Sequence, residues 1–185
     1  INPIDGKYRT SPNSTQVAWR TLPFYDSVAL IRVQDPNWVN KKLCIYYLTD
    51  QGNLFRLNGT SPPIHEVNSK APIKVTEENV LEYLRFFCFF VRGDEGPFYI
   101  AEDMSDPNLP QEMDETTRSV IEGTIRPASY EGMNDQGHML CEGVVYYSNA
   151  LFIANFAVQT SGMIEMLNDE PIAGDLSAKV EKPIA

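Results

Sequence analysis

The order of apolar and polar positions divides the chain into a strand-rich first third, one helix, and a second run of strands. Residues 27–33 are aliphatic and β-branched, and Asp35-Pro36-Asn37 stops them. Residues 43–48, Leu-Cys-Ile-Tyr-Tyr-Leu, read as a strong strand. The turn residues Asp50-Gln51-Gly52-Asn53 follow, and residues 54–57 pair back as a hairpin. Residues 58–72 contain Pro62-Pro63 and show little periodicity, so they read as a loop.

Helical spacing begins next. Val80, Leu84, Phe87, Cys88 and Val91 share one face, and Leu81, Phe86, Phe89 and Phe90 widen the apolar surface over the second half. Thr76 is placed as N-cap, with Val75 and Val80 positioned for a hydrophobic staple. Glu77 and Glu78 suit the positive end of the helix dipole, Arg92 suits the far end, and Gly93 is placed as the C′ residue. The expected helix is therefore 76–92, and its nearly complete apolar belt predicts burial on most sides.

Strand patterning returns after Gly96-Pro97. Residues 98–101 are a short strand, and 102–115 are an acidic, Pro-containing loop. Residues 117–130, 139–147, 151–159 and 163–167 read as a meander, separated by the turn residues at 134–137, 148–149 and 160–162. Residues 1–20 read as an extended arm and 169–185 as a tail, which leaves 21–168 as one domain. Strands, helix, then strands argues an α+β fold. The expectation is a curved, mostly antiparallel sheet of about seven or eight strands around one central apolar helix, either as one sheet, two sheets or a partial barrel.

Composition narrows the functional classes. The 185 residues are 43% hydrophobic and 11% aromatic, which is enough for a full core. The formal net charge of −10 disfavours nucleic acid and anionic membrane as partners. No apolar run approaches the roughly eighteen residues of a membrane-spanning helix. Cys44, Cys88 and Cys141 are odd in number, widely spaced and set in apolar runs. They read as free thiols in a reducing compartment, which places the chain in the cytoplasm. The tripeptides starting at Asn13 and Asn58 fit the glycosylation pattern, which the free thiols argue against.

Candidate chemistry is sparse. His138 and Cys141 lie three apart on a strand and so point to opposite faces, which argues against a nucleophile–base pair, and His65 sits alone in a Pro-rich stretch. Asp94 and Glu95 precede the short strand, whereas Glu102 and Asp103 follow it. About 20 Å of strand rise then separates these candidate metal ligands. The spacing matches no calcium-loop pattern, so a solvated acidic face is preferred to a divalent-cation site as the reading of these residues. The run from Val91 to Phe98 lacks a phosphate-loop pattern and follows a helix, so it reads as a helix stop and tight turn. It also offers Arg92 and Asp94 as a compact contact surface. Tyr46, Tyr47, Tyr130, Tyr146 and Tyr147 lie on strands, where one of each adjacent pair faces outward. Outward Tyr46 and Tyr146 suit an interface, although β-propensity alone also places tyrosines there.

No motif implies a cofactor or an assembled catalytic set. The leading expectation is a non-enzymatic domain that binds another protein or a copy of itself. The alternatives are a small-ligand domain with an aromatic pocket between sheet and helix, and a metal-assisted hydrolase using the acidic loop residues.

Overall fold

The structure, a computed structural model, describes residues 8–185. The chain forms two units, residues 1–72 with 182–185, and residues 73–181. Of the expected arm, residues 1–7 lie outside the described residues.

The first unit is an antiparallel meander. Strands β1 (Gln16–Thr21), β2 (Ala29–Gln34), β3 (Ile45–Asp50) and β4 (Asn53–Leu57) lie side by side in that order. The β3–β4 hairpin closes through Gln51 and Gly52, both at positive φ (47° and 85°). That is the primed two-residue turn whose twist matches the strands, and the sequence marks it with Gly52. Helix α1 (Pro62–Lys70) then packs against β3 and β4. The loop expected there is thus corrected to a helix. Pro62 and Pro63 occupy its first turn, where no intrahelical N–H is required, while Ile64 and Val67 are fully buried on one face. One sheet face carries a cluster of Val33, Trp38, Leu43, Ile45 and Tyr47. The chain's last residues join this unit: Ile184 bridges Cys44 in parallel, and the Arg56 Nε–H donates to the Ala185 carbonyl at 2.8 Å.

The second unit contains helix α2 (Val80–Phe90), the short strands β5 (Arg92–Gly93), β6 (Gly96–Pro97) and β7 (Tyr99–Ala101), helix α3 (Glu115–Glu122), and strands β8 (Ser129–Met133), β9 (Met139–Tyr147), β10 (Ala150–Val158) and β11 (Ile164–Ala173). Five of these strands form an antiparallel sheet in the order β11-β10-β9-β7, with β8 also on β9, and β5 and β6 form a two-stranded hairpin. The α2 helix starts later than expected. A turn precedes it in which the Thr76 carbonyl accepts from the Asn79 and Val80 amides, while the Asn79 side chain accepts from the Thr76 N–H at 2.9 Å. This is the back-reaching half of a capping box, with Asn79 in the place of Glu or Gln. Seven α2 residues are buried, and the Tyr83 hydroxyl donates to the Gly162 carbonyl at 2.6 Å.

The strand expected over 117–130 is corrected to α3, a loop and β8. Thr116, Thr117, Val120 and Ile121 have the β-branching of a strand. Asp114 overrides it by capping: one carboxylate oxygen accepts from the Thr117 N–H at 2.9 Å and the other from its hydroxyl at 2.6 Å. Those bonds hold the Asp114 carboxyl below its usual pKa. Ile121 then anchors the helix in a cluster with Val144, Tyr146 and Leu151.

Among the described residues the fold is therefore α+β, with three helices and sheets of four, five and two strands, none closed into a barrel. This agrees with the α+β class and mostly antiparallel strands expected from the sequence, while two helices beyond the expected one, α1 and α3, lie in segments read as loop and strand.

Candidate interaction surface

The most exposed apolar strand is β1. It is launched by a compact turn, in which the Thr15 amide donates to the Ser11 carbonyl at 2.9 Å. Asp35, at the end of β2, pins that turn. Its carboxylate is buried and accepts from the Ser14 hydroxyl (2.8 Å), the Thr15 hydroxyl (2.7 Å) and the Asn37 N–H (2.9 Å). The Asn37 N–H first, and then the Thr15 hydroxyl, lower the Asp35 pKa.

From there β1 pairs with β2 over six consecutive residues without a register shift. The other edge of β1 pairs with no strand among the described residues. Val17 lies opposite Val33 and Trp19 opposite Ile31, so they extend the apolar face that forms the unit's cluster. Exposure changes steeply along that face, from 2% at Val33 to 61% at Val17 and 72% at Trp19. The protein's other tryptophan, Trp38, is 4% exposed, and its indole N–H donates to the Arg9 carbonyl. The opposite face of the sheet carries Arg20 on β1 and exposed Arg32 on β2, with half-exposed Tyr46 beyond it on β3.

Charge separates the two units. The first contains nine Lys and Arg against five Asp and Glu, a net +4. The second contains six against twenty, a net −14, and together they give the chain's −10.

In the second unit the outer edge of β11 pairs with no strand among the described residues, and the strand is exposed from Glu165 through Pro171. The pairing with β10 shifts twice, and Leu167 is the extra residue at one shift. Met166 lies across from Phe156 and Asp169 from Ala154, on one face of the sheet. Glu165 lies across from Ala157 and Glu170 from Ile153, on the other. On the Met166 face, next to this edge, is a groove of about 170 Å³ lined mainly by Phe98, Tyr147, Phe152, Met166 and Asp169.

The candidate site residues fall as follows. Asp94 and Glu95 form the tip of the β5–β6 hairpin. The Glu95 N–H donates to the Tyr147 hydroxyl at 3.0 Å, and Lys179 Nζ donates to the Glu95 carboxylate at 2.8 Å. Lys179 lowers the Glu95 pKa. Gly93 does not serve as a left-handed helix cap. It leaves room for Tyr147, whose Cζ lies 2.9 Å from where a Cβ would sit, and whose ring stacks on Phe98 at 4.5 Å. Arg92 turns back to α2, where its Nε–H donates to the Phe89 carbonyl at 3.1 Å and its guanidinium lies over the Phe89 ring.

Glu102 accepts from Arg85 at 2.5 Å and from the Ala128 N–H, while Asp103 accepts from the Ser105 N–H and hydroxyl, which lower its pKa. Glu95, Glu102 and Asp103 are thus each engaged by different partners, and Asp94 is exposed at the hairpin tip. Among the described residues, no group of three or more His, Cys, Asp or Glu is gathered as a metal site.

Tyr146 is a correction. It is fully buried, its hydroxyl donates to the Ala178 carbonyl at 2.6 Å, and Tyr147 is the partly exposed member of the pair. Val144 to Tyr147 are all apolar or aromatic, so no alternation signals the strand's phase. The three cysteines are unpaired. Burial pushes the Cys88 thiol up to about 12 and the Cys141 thiol up to about 11, which leaves both poor nucleophiles. No helix among the described residues is long and apolar enough to cross a membrane. The sequence reading missed the β1 edge, whose only local signal is a Val-Ala-Trp run inside a polar stretch.

Comparison with protein-family models, with curated proteins and with solved structures finds no match to this chain.

Proposed function

We propose that this protein is a non-enzymatic protein-interaction domain whose β1 edge accepts an extended strand from a protein partner. The observation that carries this reading is Trp19, 72% exposed on a regular strand with a free edge. A free edge offers unpaired main-chain donors and acceptors, and a partner strand satisfies them while covering the aromatic. Tryptophan and arginine are the residues most enriched in binding hot spots, and here Trp19 and Arg20 are neighbours. Tyr46 and Arg32 extend the contact on the Arg20 face. The net charge of +4 favours an acidic partner segment, while the −14 on the rest of the chain disfavours a polyanion such as nucleic acid. Three unpaired thiols suit a reducing compartment such as the cytoplasm.

The small-ligand reading has two depressions to draw on. One, of about 480 Å³ between β4 and α1, is lined largely by polar and charged side chains (Asn53, Arg56, Glu66 and Lys70) rather than by the apolar wall of a ligand pocket. The other, the aromatic groove beside Phe98 and Tyr147, is about 170 Å³, below the roughly 300 Å³ at which ligand pockets begin. The edge reading is therefore preferred.

Affinity capture from the native source tests it. The wild-type chain should recover a protein that the Trp19→Glu variant does not. Equal recovery by both, together with monomeric behaviour of both in a sedimentation concentration series, would refute it.

A further inference from the structure

We infer that the strand received by β1 is β11 of a second copy, which joins copies head to tail. This inference rests on the reading of β1 as a binding edge and supplies its partner. Two independent complementarities carry it, one on each face of the pairing.

The first is apolar. Trp19 and Val17 project to one side of β1. On one side of β11 lies the groove lined by Phe98, Tyr147, Phe152 and Met166. When β1 lies along β11 with Trp19 on that side, the indole covers exposed Met166 and reaches the groove. An aromatic anchor in an aromatic-lined depression is the usual centre of a protein interface.

The second is electrostatic. Arg20 is adjacent to Trp19 and so projects to the opposite side. The opposite side of β11 carries Glu165 and Glu170. The orientation that seats Trp19 therefore also brings Arg20 to carboxylates, and no twist of the strand is needed to satisfy both. Residues 164–170 lie ahead of Pro171, and with Leu167 bulged out they present six residues in register, the length of β1.

Net charge excludes the symmetric alternatives. Two acidic units at −14 repel, two basic units at +4 repel more weakly, and only the unlike pairing attracts. An unlike pairing is heterologous, so each copy retains one open β1 and one open β11, and growth continues unless a ring closes.

Complementation between two surface variants tests the inference. One breaks β1 (Trp19→Glu with Arg20→Glu), and the other breaks β11 (Glu165→Lys with Glu170→Lys). All four residues are exposed, and circular dichroism should show both variants folded. At low salt the wild type should form species larger than a dimer with rising concentration, and each variant alone should remain monomeric. An equimolar mixture should give a dimer and stop there, because each variant supplies the half the other lacks. Raising the ionic strength from about 0.05 M to 0.5 M should weaken wild-type association at least tenfold, an order-of-magnitude expectation for exposed charge pairs. In a Trp38→Phe background, Trp19 emission should shift to the blue on association.

A wild-type monomer at every concentration overturns the inference, as does association that both variants retain or a mixture that stays monomeric. If the wild type is monomeric yet captures another protein through Trp19, only the β11 assignment fails. If it is monomeric and Trp19→Glu changes no capture, the β1 reading fails with it.

Discussion

Strands β1 and β11 are both largely exposed, each with an edge that pairs with no strand among the described residues, but they are built differently. β1 is regular, has no proline, and has one charged residue and a tryptophan in solvent. β11 carries Glu165, Asp169 and Glu170, breaks register with β10 twice, and contains Pro171. Charge, bulges and proline are the devices by which sheet edges resist indiscriminate pairing. β11 has all three, and β1 has only Arg20. Exposure alone does not distinguish a guarded edge from one available for binding, but the chemistry along it does. Guarding by charge is also selective, since carboxylates that repel a second β11 attract an arginine-bearing strand.

The largest expected effect comes from removing the guard. Replacing Glu165, Asp169, Glu170 and Pro171 together by Val leaves a largely apolar, β-prone edge whose only remaining guards are its two bulges. That variant should aggregate at concentrations where the wild type stays in solution, as followed by light scattering. If it stays soluble, the bulges alone protect the edge.

Next in size is Gly93→Ala, which acts at the groove beside β11. The new methyl collides with the Tyr147 ring, so the ring must leave its stack on Phe98 or the β5–β6 hairpin must shift. Overpacking of this kind costs about 1–3 kcal/mol, readable by urea unfolding. Head-to-tail association should weaken as well, while β1 keeps its amide-exchange protection.

The smallest effect lies at the base of β1. Asp35→Ala removes the acceptor that holds Ser14 and Thr15, so β1 amides should exchange faster, by roughly tenfold if one local opening is eased by about 1.4 kcal/mol. Acid should act in the same direction. The folded Asp35 pKa is depressed, so its contribution is fully present above the unfolded value of about 3.9 and is lost as pH falls through the lower folded value. Protection of β1 should then decline below about pH 4, well before α1 opens. If both elements decline together, Asp35 acts on the whole unit rather than on the edge.

What the sequence shows of this comparison follows from where local signals are strong. The β3–β4 hairpin is legible because Gly52 sits where φ must be positive, and α2 because its apolar spacing persists over eleven residues. α1 is hidden because Pro62 and Pro63 normally punctuate a chain, yet in a first turn they start a helix. α3 is hidden because the cap at Asp114 outweighs the β-branched residues that follow. β1 is exposed on both faces, so no alternation marks it. The charge division also goes unread, because no linker marks the boundary after Pro72 and the basic unit takes back residues 182–185.

The return of residues 183–185 ties the first unit to a segment distant in sequence. The Cys44 N–H donates to the Pro183 carbonyl, the Cys44 carbonyl accepts from the Ala185 N–H, and the Arg56 Nε–H donates to the Ala185 carbonyl. The unit that presents β1 is therefore discontinuous: more than one hundred residues of the second unit are inserted between Pro72 and Lys182, and residues 1–72 by themselves lack these hydrogen bonds.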